Sequence, residues 1–512
     1  MTVPNGPSDT ATFALSNTTG VSLSADTEVN GIVFNAGANS FTITPIPLLM
    51  LTLSGAGITN SSGIPQNFVS DRADGTNGQI VFTNSATAGN LTVFTNGGST
   101  TTHPEGRIQF FNTSTAGNGN FINNGSADSG GGGGGIDFFD SSTAGDGNFT
   151  NNGGTVNDSG GGFILFSDTS TAGNGTFTNN PGAVGANGGG IQFNQSTTAG
   201  NGTFVNNGGA VSGARGGSIA FVNQSTAAQA TLIANGGSNG GEGGSIQFNS
   251  GSDGGTARME IFGNGNLDIS ARNRPPVSVG SIEGNGNIFL GSHRLIVGTN
   301  NLDTVFSGTI QDGGIIGGAP GKLTKVGTGT LVLRNSNAYT GGTTINGGKL
   351  VVDNESGSGT GSGPVQVNAG RLGGSGMIAG EVTVGDGSGR GAILSPGESA
   401  RKRGTLTIQS TLTFKSDAIY KFNLNSDTAK SDSVVPNGVT INSGAQFTFT
   451  DVAHGTLPIG TVFTVINNMA ATLIAGTFSN LPDGSTFTAN GNTYQVNYEG
   501  GDGNNLTLRV VP

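Results

Sequence analysis

Short runs of alternating apolar and polar residues return along the chain at intervals of 27 or 28 residues. Residues 108–110 and 191–193 both read Ile-Gln-Phe, so isoleucine and phenylalanine share one face of a predicted strand. A second strand follows in each repeat, as in residues 204–206 (Phe-Val-Asn), where the ring and the amide share a side. Glycine-rich turns such as residues 130–135 separate the strands, because glycine accepts a positive φ at little cost.

The two aromatic positions of this repeat stay in phase through most of the first half of the chain. A disordered segment has no reason to keep such a phase, so the repeat predicts ordered structure. The first position is held by Phe82, Phe110, Phe138, Phe166, Phe193, Phe221 and Phe248, and the second by Phe94, Phe121, Phe149, Phe177 and Phe204, then Leu232.

We predict an all-β fold, an elongated right-handed parallel β-helix (a solenoid) whose coils stack at about 4.8 Å. One coil cannot bury its own apolar face, so like residues of successive coils must meet. Asn124, Asn152, Asn180 and Asn207 are expected to form an amide ladder at the corners. The competing architectures are a string of β-sandwiches or a β-propeller, whose blades usually need about 40 to 50 residues.

The phase of the repeat divides the chain into segments. Before residue 71 similar short alternating runs occur without a strict period. From Met259 onward the period is lost, and Pro275-Pro276 predicts a turn or boundary. The predicted segments are 1–70 (N-terminal coils or cap), 71–265 (the repeat), 266–320 (irregular coils), 321–353 (a distinct motif) and 354–512 (C-terminal coils and cap).

Composition narrows the class of protein further. Glycine supplies 96 of the 512 residues and only 10% are charged, which disfavours helices because glycine weakens them and few ion pairs are available. The chain has no cysteine, so disulfides and cysteine-ligated metals are excluded. A net charge of −11 argues against nucleic-acid binding. The longest apolar stretch, residues 43–53, is too short to span a membrane.

Residues 323–352 read LTKVGTGTLVLRNSNAYTGGTTINGGKLVV, unlike the rest of the chain. This segment resembles the autotransporter-associated β-strand repeat, also called the passenger-associated transport repeat. More loosely, residues 373–376, 394–397, 460–466 and 498–505 resemble the C-terminal region of the same bacterial surface proteins. The resemblance implies an exported β-helical passenger, often an adhesin or a surface-layer component. A complete autotransporter would add a membrane β-barrel with aromatic girdles, which we do not expect here because the chain has four tyrosines and no tryptophan.

Catalysis on a β-helix needs clustered carboxylates, either with Ca²⁺ and a base or as paired acids. The best acidic group is Asp137, Asp140 and Asp146 in one repeat, with Asp168 in the next. No lysine precedes Lys322, so the basic partner of a lyase is scarce in this half. We therefore interpret these residues as solvated surface carboxylates and predict no catalytic residue.

Other motifs predict ordinary turns rather than sites. The three histidines, His103, His293 and His454, share no metal-ligand spacing. Residues 236–240 fit Gly-x-Ser-x-Gly, but a nucleophile elbow needs a strand-turn-helix context that a glycine-rich turn lacks. Residues 500–506 resemble a calcium-binding nonapeptide only once and with Asn505 in place of aspartate. The basic run 401–403 is expected to be an exposed turn.

We therefore expect a non-catalytic, exported bacterial surface or passenger protein that acts as a stalk or adhesin. The alternative is a polysaccharide lyase or hydrolase on the same scaffold. No metal or cofactor is predicted, and the partners expected are glycans or surface proteins of host or neighbouring cells, with end-to-end self-association if a cap is missing. The expected location is extracellular or at the cell surface, although residues 1–6 do not read as an export signal.

Overall fold

The computed structural model describes residues 3–45, 49–70, 78–99, 105–273, 276–389, 391–397 and 403–512. These residues form 47 strands and no helix. They fold as two compact units, Met1–Pro275 and Pro276–Pro512, which divide at the proline pair where the sequence predicts a turn or boundary. Pro275 itself lies outside the described residues, and the finer segment boundaries stay predictions.

The strands of the first unit are short, mostly three to eight residues long. They are β1 (Gly6–Phe13), β2 (Gly20–Ser22), β3 (Thr27–Phe34), β4 (Thr42–Thr44), β5 (Met50–Asn60), β6 (Gln66–Ser70), β7 (Gln79–Phe82), β8 (Asn90–Asn96), β9 (Arg107–Phe110), β10 (Asn118–Asn123), β11 (Gly135–Phe138), β12 (Asn148–Asn151), β13 (Phe163–Phe166), β14 (Thr176–Asn179), β15 (Gly190–Phe193), β16 (Thr203–Asn206), β17 (Ser218–Phe221), β18 (Thr231–Ala234), β19 (Ser245–Phe248), β20 (Arg258–Ile261) and β21 (Asn266–Asp268).

The strands of the second unit are also short. They are β22 (Val277–Val279), β23 (Ser281–Gly284), β24 (Asn287–Phe289), β25 (Arg294–Val297), β26 (Thr304–Phe306), β27 (Thr309–Gln311), β28 (Lys322–Lys325), β29 (Thr330–Leu333), β30 (Thr343–Ile345), β31 (Lys349–Val352), β32 (Val365–Val367), β33 (Gly370–Gly374), β34 (Met377–Ile378), β35 (Val382–Val384), β36 (Ala392–Pro396), β37 (Thr405–Ile408), β38 (Leu412–Phe414), β39 (Ala418–Asn425), β40 (Lys430–Ser431), β41 (Ser433–Pro436), β42 (Val439–Ile441), β43 (Gln446–Asp451), β44 (Val462–Ile466), β45 (Thr486–Ala489), β46 (Asn492–Gly500) and β47 (Asn505–Val511).

Each coil of the first unit gives one strand to each of two parallel sheets. The odd-numbered strands β1 to β21 lie side by side in chain order, and the even-numbered strands β2 to β20 form the second sheet in the same way. Register is kept from coil to coil, so that Ile108 pairs with Ile136 and Phe110 with Phe138. The prediction of an all-β parallel β-helix is confirmed.

Stacked phenylalanine rings fill the interior between the two sheets. Phe138 lies 4.7 Å from Phe110 and 4.7 Å from Phe166, measured between ring centroids, with the rings within 7° of parallel. Rings of the second position stack in the same way, and Phe149 meets Phe138 edge to face at 6.0 Å. All of these rings are fully buried. Like side chains therefore meet along each column, as the repeat predicts.

Asparagine side chains form two ladders along the second sheet. The predicted corner ladder exists, because the side-chain amide of Asn152 donates to Asn124 at 3.0 Å and that of Asn207 to Asn180 at 3.1 Å. A second ladder lies inside the coils, where the amide of each asparagine except the last donates to its counterpart in the next coil at 2.6–2.7 Å. Its members are fully buried: Asn96, Asn123, Asn151, Asn179 and Asn206.

Each coil turns after its first strand through one residue with a positive φ. Asn112, Asp140 and Asp168 hold φ values of 53–59°, a conformation that asparagine and aspartate tolerate better than most residues. Their side chains also reach the preceding coil, since Asp140 Oδ2 accepts a hydrogen bond from the backbone N–H of Asn112 at 2.8 Å. The turn residues thus join neighbouring coils as well as reversing the chain.

The second unit continues the parallel pattern and ends differently. Strands β22, β25, β28, β30, β32, β35, β38 and β42 form one parallel sheet, and β23, β26, β29, β31, β33, β36, β39 and β43 pair in parallel in a second. At the C-terminal end β44 pairs antiparallel with β47, which pairs with β46 and then β45. The tail therefore closes with antiparallel strands.

The first strand of the first unit has a sheet neighbour on one side. β1 pairs in parallel with β3 and lies at the end of its sheet in the part of the chain that the structure describes. An unpaired strand edge offers backbone groups to another chain. End-to-end self-association therefore stays a prediction.

Candidate functional site

The acidic residues singled out in the sequence occupy different parts of the coil. Asp137 lies on the outer face of β11, Asp140 and Asp168 hold the left-handed turn, and Asp146 precedes β12. Asp168 Oδ2 accepts a hydrogen bond from the backbone N–H of Asp140 at 3.0 Å. Asp146 accepts one from an asparagine side chain of the next coil at 2.9 Å. These three turn carboxylates therefore hold adjacent coils together.

Asp137 is buried, so its interpretation as a solvated carboxylate is wrong. It is 3% exposed, and its Oδ2 lies 2.6 Å from Nη1 of Arg107. Nη2 of the same guanidinium lies 2.7 Å from Oε1 of Glu105, and the amide of Gln109 donates to Asp137 at 3.4 Å. Arg107 comes from the neighbouring strand β9 and covers the carboxylate.

The pKa values of this group reflect the ion pairs. Burial opposes ionisation of Glu105, yet the hydrogen bond and charge of Arg107 leave the pKa of Glu105 below its ordinary value. Burial likewise disfavours the charged form of Arg107, and the carboxylates of Asp137 and Glu105 outweigh it, raising the pKa of the guanidinium. Glu105 and Arg107 are therefore both charged near neutral pH, and one guanidinium with two carboxylates gives the group a net formal charge of −1.

Two glycines make room on the same outer face. Gly135 stands between Arg107 and Phe163 in the strand register, and Gly190 stands beyond Phe163. A Cβ added at Gly190 would lie 3.3 Å from Cδ2 of Phe163, so the ring reaches over that glycine. Phe163 keeps 38% of its surface exposed. The Arg107 patch is defined here as Glu105, Arg107, Gln109, Asp137, Phe163 and Gln192.

The remaining sequence motifs are turns, where the structure describes them. Ser238 of the Gly-x-Ser-x-Gly phrase lies in an exposed turn between β18 and β19, and the element that follows it is a strand. Residues 500–506 form the hairpin between β46 and β47, where Asn505 donates to Asp502 at 2.7 Å. His103, Arg401 and Lys402 lie outside the described residues.

Among the residues that the structure describes, no group of three or more histidine, aspartate or glutamate side chains is placed to hold a metal ion.

No helix with the length and apolarity needed to cross a bilayer occurs among the described residues.

Residues 323–352 fold into two successive stacked coils of the second unit. β28 pairs with β30, matching Leu323 to Thr343, and β29 pairs with β31, matching Thr330 to Lys349. Partners are thus 19 or 20 residues apart, against 27 or 28 in strands β11, β13 and β15 of the repeat in the first unit. The coil is shorter here because its turns are tighter, and glycine allows this. Gly327 has a φ of 69°, and a Cβ there would lie 2.0 Å from the carbonyl oxygen of Gly298.

Two polar side chains of this segment lie in its interior. Lys325 is 1% exposed and its ammonium donates to the carbonyl of Val326 at 2.6 Å. Burial lowers the pKa of Lys325 to about 8, partly offset by Asp303. Tyr339 is fully buried with its hydroxyl 2.6 Å from Oγ1 of Thr343, and this burial raises the pKa of the phenol. Both side chains brace the coils instead of facing solvent.

A buried carboxylate in the second unit gives a pH prediction. Asp432 is fully buried, and burial raises its pKa from 3.8 to about 6 despite hydrogen bonds from Asn423 at 2.6 Å and Gly404 at 3.2 Å. Between these pKa values the folded unit holds a proton that the unfolded chain has released. Stability therefore falls as pH rises from about 4 to about 6, by up to about 3 kcal/mol.

Asp432→Asn is expected to remove this pH dependence, and Asp427→Asn, at an exposed position, to preserve it. Urea unfolding followed by tyrosine fluorescence measures the effect, since all four tyrosines lie in the second unit. A wild-type midpoint that rises between pH 4 and pH 6 would contradict the prediction.

Comparison with known proteins identifies the class of the second unit's motif. Residues 323–352 match the family Passenger-associated-transport-repeat, as their sequence resemblance predicts. A stretch of 123 residues, 24% of the chain, is 31% identical to the adhesin BmaC autotransporter of Brucella suis biovar 1 (strain 1330). The aligned part is 3% of the length of that adhesin.

Among solved structures, the chain is similar to the Haemophilus influenzae Hap adhesin. The sequence identity is 10% and the TM-score 0.25, with 96% of this chain and 64% of that chain covered. The residues that match the passenger-associated transport repeat, 323–352, form parallel β-helical coils of the second unit.

Sequence reasoning missed Glu105, Arg107 and Phe163 as members of one surface group. The available signal was a departure from the repeat on the outward side of the strands. Where neighbouring coils carry small or amide residues at the outward positions, three consecutive strands carry arginine, aspartate and phenylalanine. The register between coils places these outward positions side by side, and Arg107 therefore reaches Asp137 of the next coil.

Proposed function

We propose that this chain is a non-catalytic part of an exported bacterial passenger, displayed outside the cell as a stalk or adhesin. The observation that carries the proposal is the match of residues 323–352 to a passenger-associated transport repeat, formed as two stacked coils of a β-helix. Similarity to an adhesin autotransporter over 123 residues supports the same reading.

The mechanism we infer is mechanical. Columns of buried rings and asparagine amides tie neighbouring coils of the repeat in the first unit together, so a local opening there must break contacts on both sides. The turn carboxylates Asp140 and Asp168 serve the same purpose through hydrogen bonds to the backbone of the preceding coil. Such a scaffold resists proteolysis and presents side chains on its outer faces.

A display assay tests the proposal. We expect the chain, fused between an export signal and an autotransporter barrel in a Gram-negative host, to become accessible to antibody and external protease on intact cells. Tyr339→Ala is expected to lower the displayed amount several-fold, because it leaves a cavity inside the transport-repeat coils. Tyr339→Phe keeps the ring and is expected to remain close to wild type.

A full-length fusion that stays inaccessible on intact cells would contradict display. Release of new reducing ends or unsaturated products from polysaccharides by the purified chain would contradict the non-catalytic role and favour a lyase or hydrolase. Adhesion of displaying cells, compared with cells carrying the barrel alone, separates an adhesin from a passive stalk.

A further inference from the structure

The residue types at the outward positions of the first sheet differ over three successive strands, β9, β11 and β13, from those of the other coils. The inward positions from β7 to β19 repeat isoleucine and phenylalanine, and β9, β11 and β13 follow this pattern. At the outward positions these three strands carry Arg107 with Gln109, Gly135 with Asp137, and Phe163 with Leu165. In a chain with only 10% charged residues, an ion-paired group beside an exposed ring is a local departure from the scaffold.

The guanidinium of Arg107 is held rigidly and still has donors to offer. Its Nε and Nη2 donate to Glu105 at 3.1 and 2.7 Å, and its Nη1 donates to Asp137 at 2.6 Å. A guanidinium carries five N–H groups, so two remain for a ligand. The side chain is 40% exposed. Two carboxylates fix it in place before any ligand arrives, which lowers the entropy cost of binding.

An exposed aromatic ring lies on the same outward face, two strands along the register from Arg107. The Phe163 ring reaches over Gly190, where a Cβ would lie 3.3 Å from Cδ2, and it remains 38% exposed. Gln192 lies two residues beyond Gly190 on the same outward face. An exposed aromatic surface beside a few fixed polar groups is the composition typical of small-molecule recognition.

The surroundings of the patch narrow the class of partner. β11 is paired on both sides, with β9 and β13, so its backbone is not available for addition of a peptide strand. The net formal charge of −1 from Glu105, Arg107 and Asp137 disfavours phosphate, sulfate or sialic acid. A neutral sugar fits the exposed Phe163 ring and the remaining N–H groups of Arg107, since it combines an apolar C–H face with hydroxyl acceptors.

We propose that the Arg107 patch binds neutral pyranose units of a glycan, with the sugar face on Phe163 and sugar hydroxyls accepting from Arg107 and Gln192. Asp137 and Glu105 are positioning residues that hold the guanidinium. The inference rests on the proposed surface role, because an exported passenger meets the glycans of other cells. It names a ligand class and a site that the surface role alone does not specify.

The test is a glycan array probed with the purified full chain. The probes are neutral oligosaccharides of glucose, galactose, mannose and N-acetylglucosamine, together with sialylated and sulfated counterparts. We expect binding to neutral members, little changed by added salt. For the neutral oligosaccharide that binds most strongly, Phe163→Ala is expected to raise the Kd about ten-fold or more, the equivalent of about 1.4 kcal/mol of binding free energy. Phe163→Tyr keeps the ring and is expected to preserve binding.

Matched controls separate recognition from folding. Phe262 is an equally exposed phenylalanine of the same unit, at 38%, so Phe262→Ala should leave binding unchanged. Asp137→Asn is expected to weaken binding by loosening Arg107, with a smaller loss than Phe163→Ala. Melting temperatures of Phe163→Ala and Phe262→Ala that equal the wild-type value would show that the fold of both variants is intact.

Several results would overturn this site. They are silence of the wild-type chain across the array, preference for anionic glycans, and equal losses in Phe163→Ala and Phe262→Ala. The assay uses purified protein, so it does not depend on display. A displayed chain that binds no glycan overturns the site alone, whereas a glycan-binding chain that cannot be displayed overturns the proposed surface role alone.

Discussion

Replacing Asn151 with alanine is expected to destabilise the first unit by about 2 to 6 kcal/mol. Asn151 accepts from the amide of Asn123 at 2.7 Å and donates to Asn179 at 2.7 Å, and all three side chains are fully buried. Alanine leaves one buried donor and one buried acceptor without partners, at about 1 to 3 kcal/mol each. Urea unfolding followed by far-ultraviolet circular dichroism measures the loss.

The neighbouring residue supplies the control. Asn152 makes the same kind of amide contact, to Asn124 at 3.0 Å, but in the half-buried corner ladder. Water can replace its bonds, so Asn152→Ala is expected to cost less than about 1 kcal/mol. Equal losses for the two variants would mean that burial does not set the strength of these ladders.

At both natural ends of the buried ladder, a missing amide leaves a buried side-chain group without a partner. Asn206 pairs in register with Ala234, and its side-chain nitrogen has no hydrogen-bond partner. At the other end Asn96 pairs with Ser70, and its side-chain oxygen is likewise unpaired. Alanine and serine therefore fit the coil sterically, and what they fail to supply is the next amide.

The interior of the first unit could be predicted from the sequence because it depends on two periods only. Alternation within a strand places Phe204 and Asn206 inside, and the repeat of 27 or 28 residues brings like residues together. The corner ladder of Asn152 follows from the same two periods. The buried ladder was available in the same pattern, since period two puts Asn151 on the side of Phe149.

The outer site could not be predicted in the same way. Burial of Asp137 depends on Arg107, a residue of another coil whose side chain reaches along the axis over Gly135. Alternation assigns Asp137 to the solvent side, and only coil-to-coil register reveals its partner. The antiparallel ending, from β44 to β47, also has no counterpart in the repeat that precedes it.

Phe149→Ala is expected to be among the most damaging single changes in the first unit, at about 3 to 5 kcal/mol. The ring stacks at 4.7 Å on both Phe121 and Phe177 and meets Phe138 edge to face at 6.0 Å, so its removal leaves a cavity between coils that cannot approach each other. The backbone hydrogen bonds of β12 to β10 and β14 fix that spacing. Urea unfolding by circular dichroism gives the loss, and tyrosine fluorescence of the second unit serves as an internal reference.

Phe149→Leu tests whether the column needs a ring or only volume. The chain already places Leu232 at this position, in register with Phe204 on one side and Met259 on the other, and all three are fully buried. An aliphatic side chain therefore satisfies the column, and we expect a cost near 1 kcal/mol, mainly from lost ring contacts. If leucine proved as damaging as alanine, stacking of rings rather than filling of the interior would be the dominant force between coils.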